Sequence, residues 1–234
     1  MAKAIAEAGL AAVYSYAGRT EAPMGQPIHM RVGGFGGVEG LCAYLDDQAI
    51  THVVDATHPF AAQMSTNAVA ACTAANVPLI ALERAPWIAG EGDHWTSVAD
   101  IAAAVAALAG PPKRVFLAIG RQHLERFAAQ PQHSYLLRLV DAPTEPLPLL
   151  LAEVIVARGP FDVVGDSAVM HDHGTEIIVA KNAGGKGAVA KIAAARALGL
   201  PVVMIERPAV PPRQVARSVD AVMAWLSHSA RLGE

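Results

Sequence analysis

Cysteine is almost missing from this chain. Of 234 residues only Cys42 and Cys72 are cysteines, and their separation matches no metal-binding spacing. A disulfide-stapled secreted scaffold and a cysteine zinc site are thereby excluded, and two unpaired thiols fit a reducing, cytoplasmic location. Aromatic residues make up only 5%, and no basic run is interleaved with them, so the marks of a nucleic-acid-binding surface are lacking. No stretch approaches the roughly 20 uninterrupted apolar residues of a membrane span. The opening MAKAIAEAGLAAV is helical in style but carries Lys3 and Glu7 and no cleavage site, unlike a signal peptide. Neither a membrane nor a nucleic acid is an expected partner. Also missing is the strand and tight glycine turn with which a parallel α/β domain normally starts. That first strand and its phosphate loop are expected to be absent from this chain through a late start assignment.

What is present is a large apolar fraction, 53%, broken into many short runs and sufficient for one large core or two small ones. Strands are expected at 11–16, 53–54, 79–82, 114–119, 135–140, 153–157, 176–180 and 201–205. Ala-rich segments of helical length fall between them, at 38–48, 60–75, 100–108, 163–173, after Gly187 to about 198, and within 215–226. Residues 21–31 and 88–96 read as connections. The alternation predicts an α/β fold with parallel sheets flanked by helices. The helix-breaking Gly110-Pro111-Pro112 sets a boundary, giving domains 1–110 and 111–234.

Net charge is only −3, yet residues 1–110 hold four Lys/Arg against ten Asp/Glu, and residues 111–234 fourteen against eleven. A large anion would lean on the second half. An internal echo supports the division. A shift of 123 residues carries Val77-Pro78 onto Leu200-Pro201, Glu83-Arg84 onto Glu206-Arg207, and His58 onto Lys181. Two related strand–helix–strand units, one per domain, would face each other across a cleft.

Polar chemistry concentrates in ITHVVDATHPFA, residues 50–61. Val53 and Val54 form a strand, and Asp55, Thr57 and His58 follow where it should end. Pro59 then stands where a helix can begin. Ligands of open α/β sheets bind at such carboxyl ends, where helix N-termini offer N–H groups to anions. The plainer alternative is that Asp55 and Thr57 only cap the next helix. Gly33, Gly34, Gly36 and Gly37 permit unusual φ values and close backbone approach, or else form a flexible turn.

Six motifs carry more together than singly: AGRT at 17–20, RVGGFGG at 31–37, DATHPFA at 55–61, IGRQ at 119–122, ARGPF at 157–161 and AKNAGG at 180–185. Their order resembles the precorrin-6A reductase family over essentially the whole chain. The resemblance implies two Rossmann-like domains, the first holding NADPH and the second a tetrapyrrole, with both ligands in the cleft between them. It implies transfer of a hydride from the nicotinamide to a C=C bond of precorrin-6A, with a proton added, giving precorrin-6B in cobalamin biosynthesis. The family usually opens with a strand and a Gly-Gly-Thr-type phosphate loop, and often has Ser where Ala183 stands.

Within that resemblance Arg19 is the candidate for the 2′-phosphate of NADPH. Gly33, Gly34 and Gly36 would let the backbone approach the cofactor, with Asp55, Thr57, His58 and Pro59 on the nicotinamide side. Arg121, Gln122, Arg158, Lys181, Asn182, Gly184, Gly185 and Lys186 are the candidates for the substrate's carboxylates. His58 is the first choice for a proton donor, and Lys181 the second. His171-Asp172-His173 lacks a third ligand, and no metal is expected. Other enzymes of the same pathway are conceivable partners. Competing readings are a cobalt-precorrin-6A reductase using NADH, and a non-catalytic two-domain protein that closes on an anion. An unrelated dehydrogenase would call for a complete G-x-G-x-x-G loop.

Overall fold

The computed structural model describes residues 1–18 and 24–231. The chain forms two compact units, Met1–Arg84 joined by Ala209–Glu234, and Ala85–Pro208. The first unit runs α1 (Ala2–Glu7), β1 (Val13–Tyr16), β2 (His29–Val32), α2 (Gly37–Asp47), β3 (Val53–Asp55), α3 (Ala62–Ala74) and β4 (Leu79–Leu82). The second contains β5 (His94–Val98), α4 (Ile101–Ala106), β6 (Arg114–Ala118), α5 (Leu124–Phe127), β7 (Ser134–Leu139), β8 (Ala152–Val156), α6 (Val163–His173), β9 (Ile177–Lys181), α7 (Ala190–Ala197) and β10 (Pro201–Ile205). The chain then returns to the first unit as β11 (Gln214–Ala216) and α8 (Val219–Arg231).

Among the described residues every strand pairing is parallel. In the second unit six strands make one sheet in the order β5-β10-β9-β6-β7-β8. Phe116, Leu136, Ile178, Val202 and Met204 line the core of this sheet, and Met170 of α6 and Ile192, Ala194 and Ala195 of α7 close it. A parallel sheet buried on both faces needs continuous apolar strands, which is why these segments read as unbroken runs. The first unit has a pair, β1-β2, and a triple, β11-β4-β3. Its α2 and α3 pack together through Leu41, Leu45, Ala68, Ala71 and Cys72. Ile80 of β4 and Ala216 of β11 bury against Val222 of α8, flanked by Trp225 and Leu226.

The α/β class with parallel, helix-flanked sheets matches the sequence reading, and Leu79–Leu82 begins and ends where expected. The boundary at 110 is corrected. Residues 94–98, expected to be a connection, form β5 and pair with β10 from Pro201↔His94 to Ile205↔Val98. Half-buried Asp93 fixes the start of β5 by accepting from Arg196 Nε and Nη2 at 3.0 and 2.7 Å, and these bonds hold its carboxyl below the usual range. Residues 29–31 and 215–216 are expected to be connection and part of the last helical segment, but form β2 and β11; HMRV is broken by His29 and Arg31, and QVA is only three residues long, so neither shows an apolar run.

Two consequences follow. The repeats at 53–82 and 177–205 both fold as strand, helix, strand, but the next strand of each is exchanged: β4 pairs with β11, and β10 with β5. The charge asymmetry also dissolves. The first unit has seven Lys/Arg against nine Asp/Glu, and the second eleven against twelve. Attraction for an anion must therefore be local rather than spread over a domain.

Candidate active site

In the first unit the polar junction after β3 is a built turn. Asp55 is buried, and its Oδ1 accepts from the Thr57 backbone N–H at 3.1 Å and from Thr57 Oγ1 at 2.7 Å. Thr57 Oγ1 lies 3.2 Å from Ser65 Oγ on α3. Asp55 Oδ2 faces Arg213 Nε at 3.8 Å, and Arg213 is also paired with Glu83, which Arg217 approaches at 3.5 Å. Asp55 therefore anchors the turn from within. The helix start expected at Pro59 is corrected: Pro59 and Phe60 form a turn, and α3 starts at Ala62 without a side-chain cap. Asp55 caps the turn rather than the helix: its Oδ1 accepts from Thr57, while α3 starts seven residues on, at Ala62, with no side-chain cap.

This turn leaves Thr57 and His58 exposed at the carboxyl end of β3. His58 Nδ1 accepts from the Phe60 backbone N–H at 3.2 Å. With Nδ1 acting as acceptor, the neutral ring carries its proton on Nε2.

The glycine loop follows β2. Arg31 organises it, donating to Ser15 Oγ at 2.8 Å, Gly33 O at 3.0 Å and Gly34 O at 3.1 Å. The same guanidinium lies 4.0 Å from the Phe35 ring centre and 5.1 Å from that of Tyr44. Gly36 and Gly37 have φ of +80° and +88°, which side chains rarely adopt. A Cβ at Gly33, Gly34, Gly36 or Gly37 would meet nothing within 4 Å. The loop backbone thus borders open space, as a close-lying dinucleotide requires. Behind it, a Cβ at Gly40 would collide with Phe35 O, so α2 sits directly on the loop. Arg19 lies outside the described residues. Two shallow grooves of this unit, one beside Cys42 and Ile50 and one beside Val69 and Pro212, lie away from these turns.

In the second unit the sheet order places β6 between β7-β8 on one side and β9-β10-β5 on the other. The direction of winding reverses between β6 and β9, and ligands of open α/β sheets bind at that switch point, beyond the carboxyl ends. Arg121 and Gln122 follow β6 and are exposed. Lys181 ends β9, and exposed Lys186 follows it. Arg158 follows β8 and pairs with Asp141 at 2.6 Å, still largely exposed. From β9 to β8 is three strand steps, about 14 Å at ~4.8 Å each. The cations are spread along one end of a sheet, an arrangement suited to a broad ligand with several carboxylates.

Asn182 and Gly184 are placed differently from the expectation that they face a ligand. Asn182 is buried, and its amide clasps the backbone of Trp87: Oδ1 accepts from Trp87 N at 2.8 Å and Nδ2 donates to Trp87 O at 3.1 Å. Gly184, with φ of +67°, is buried where a Cβ would collide with Ala85 O and Arg207 Nη2. Both shape the turn that carries the lysines. Beneath it, Arg138 pairs with Asp166 and stacks 3.7 Å from the Phe161 ring centre. Lys191, 6% exposed, lies near both charges. His173 is buried, with Nδ1 3.0 Å from Thr175 Oγ1.

Sequence reading did not single out Trp87, Arg207 or Arg213. The repeated Glu-Arg pair at 83–84 and 206–207 was the available signal, but it marks strand ends and says nothing of what Arg207 touches.

Parallel α/β units with polar turns at the carboxyl ends of their strands define a Rossmann-like ligand-binding protein. Within that class, the model of the family described as precorrin-6x reductase CbiJ/CobK matches residues 1–227, and the chain belongs to this family. It is 60% identical over 227 residues to a precorrin-6A reductase of Rhodobacter capsulatus, covering 97% of this chain and 90% of that protein. A precorrin-6A reductase of a Sinorhizobium species is 46% identical, with 92% and 82% covered. A cobalt-precorrin-6A reductase of Priestia megaterium is 29% identical, with 82% and 79% covered. The solved structure of a CobK precorrin-6A reductase superposes with a TM-score of 0.94 at 59% identity, covering 97% of this chain and 90% of that one. Membership in a reductase family implies a nicotinamide cofactor.

Proposed function

We propose that this chain reduces precorrin-6A with NADPH, giving precorrin-6B in cobalamin biosynthesis. The observation that carries the reading is the 60% identity to a precorrin-6A reductase along 97% of the chain. Its lower identity, 29%, to a cobalt-precorrin-6A reductase favours the metal-free substrate.

The first unit is assigned the cofactor, with the open backbone at Gly33, Gly34 and Gly36 against the dinucleotide and Thr57, His58 and Pro59 toward the nicotinamide. Arg19 is assigned the 2′-phosphate. The second unit is assigned the tetrapyrrole, its acetates and propionates meeting Arg121, Gln122, Arg158, Lys181 and Lys186. The free thiols of Cys42 and Cys72 accord with work in a reducing cytoplasm.

When bound, reduced nicotinamide supplies the hydride; the protein's task is to hold the reacting carbons together and to deliver a proton. Holding them in near-attack contact can supply roughly 7–11 kcal/mol of the barrier. The Arg side chains bind carboxylates through two parallel N–H bonds, and the lysines act as point charges. To act as the acid His58 must first be doubly protonated, with Nδ1 released from the Phe60 N–H; the imidazolium then donates its Nε2 proton to the ring carbon next to the one that takes the hydride and is left as a neutral imidazole.

The test is a coupled assay with precorrin-6A and each nicotinamide. NADPH oxidation that depends on precorrin-6A is expected, and tight binding of the tetrapyrrole without oxidation would instead make the chain a binding protein. Arg19→Ala should raise the KM for NADPH about tenfold or more while changing that for NADH less than twofold. Equal effects on both would remove Arg19 from the 2′-phosphate.

A further inference from the structure

The loop at 182–188 has an unusual distribution of hydrogen bonds. Arg207 Nε donates to Asn182 O at 3.0 Å, and Arg207 Nη2 to Ala183 O at 3.2 Å. Trp87 Nε1 donates to Gly185 O at 2.8 Å, and Lys191 Nζ to Ala188 O at 2.8 Å. Four carbonyl oxygens are thus held by side-chain donors from outside the loop. Its N–H groups are treated in the opposite way. Those of Asn182 and Ala183 bond to Ile205 O and Lys181 O. Among the described residues, nothing accepts from the N–H of Gly184, Gly185, Lys186 or Gly187.

A turn normally offers ligands both signs of partial charge. Here four of the seven carbonyls of 182–188 are occupied by side chains and the donors from Gly184 to Gly187 are left open, with successive positive φ values at Gly184 and Gly185, +67° and +71°. Successive N–H groups displayed this way form an anion-binding concavity. The clamp is also rigid. Trp87 is tied at three points, by the two Asn182 amide bonds and by its own indole N–H, and the Lys191 amine lies 5.1 Å from its ring centre.

We propose that Arg207 and Trp87 are positioning residues that turn the 182–188 loop into a carboxylate receptor by taking its carbonyl oxygens. The inference rests on the assignment of this loop to the tetrapyrrole. Both residues act through the loop: Arg207 donates to the carbonyls of Asn182 and Ala183, and Trp87 faces Asn182 and Gly185. Without Arg207 the carbonyls of Asn182 and Ala183 are free to turn outward, where they repel a carboxylate.

Steady-state kinetics of Arg207→Ala, Trp87→Phe and Lys186→Ala test this. Arg207→Ala should raise the KM for precorrin-6A about tenfold, and Trp87→Phe, which keeps the ring and loses the N–H, several-fold. Both should leave kcat and the KM for NADPH within twofold of the parent, a split that general loosening of the fold would not produce. Should Arg207→Ala fail to fold, Trp87→Phe decides alone. If neither variant moves the KM for precorrin-6A while Lys186→Ala raises it, the positioning role is overturned and the loop remains the substrate site. If Lys186→Ala raises the KM for NADPH instead, the assignment of the loop to the tetrapyrrole falls and the positioning claim with it.

Discussion

His58 shows how a single residue's surroundings decide its chemistry. The backbone N–H of Phe60 occupies Nδ1, so the ring is held in one orientation with its proton on the other nitrogen. Asparagine can reproduce the acceptor with its side-chain oxygen but cannot donate as an acid. His58→Asn should therefore keep the turn and the KM for NADPH, and lower kcat about 100-fold at neutral pH, the lower part of the range for general acid catalysis. A near-normal kcat would move the proton donor elsewhere, with Lys181 next in order. The position of His58 past the carboxyl end of β3 was legible in the sequence, because it follows the apolar pair Val53-Val54 closely. The burial of Asp55 and Asn182 was not. A carboxylate or amide that serves its own backbone looks the same in sequence as one that meets a ligand, and only the partner across the turn, Thr57 or Trp87, distinguishes them.

At the scale of elements, α6, α7 and β7 enclose an unbalanced group of charges. Arg138 of β7 pairs with Asp166 of α6, and the buried Lys191 amine of α7 feels both charges. Burial pushes the Lys191 amine down to about 8, Arg138 adds to the effect, and Asp166 opposes it. In the unfolded chain a lysine titrates near pH 10.4. Between about pH 8 and 10 the unfolded chain therefore binds more protons, and the Lys191 contribution makes stability rise with pH. Below pH 8 the protonated amine weighs against folding by its full amount. Lys191→Met removes the titration. Comparing urea midpoints, the parent should gain on Lys191→Met by about 1–2 kcal/mol between about pH 7.5 and 9.5, each pKa unit being about 1.4 kcal/mol. A constant gap between the two proteins would mean that the amine titrates normally. Most elements of this unit were readable because a sheet covered on both faces demands unbroken apolar strands. Strand β5 was not, since HWTSV holds three polar residues in five at the sheet edge, where only one side needs a partner.

On the scale of the whole molecule, the order of the chain and the order of the fold disagree. The Gly-Pro-Pro break at 110 is a true interruption, but it separates α4 from β6 inside the second unit. The real crossings come at Arg84/Ala85 and Pro208/Ala209, next to the two Glu-Arg pairs. Composition and breakers report where a helix stops; they carry no record of which strand pairs with which across more than a hundred residues. Such pairing depends on long-range contacts that no local pattern encodes. The exchange of β5 and β11 has a direct consequence. Residues 85–208 contain all six strands of their sheet and the helices that cover it. A fragment ending at 110 instead carries β5 and α4 without β10, and leaves β4 without β11 and α8, so Ile80 and its neighbours lose Ala216 and Val222. Fragment 85–208 should therefore be soluble and unfold cooperatively in urea by circular dichroism, whereas fragment 1–110 should show no cooperative transition. If 1–110 folds and 85–208 does not, the strand exchange is wrong and the break at 110 is the boundary after all.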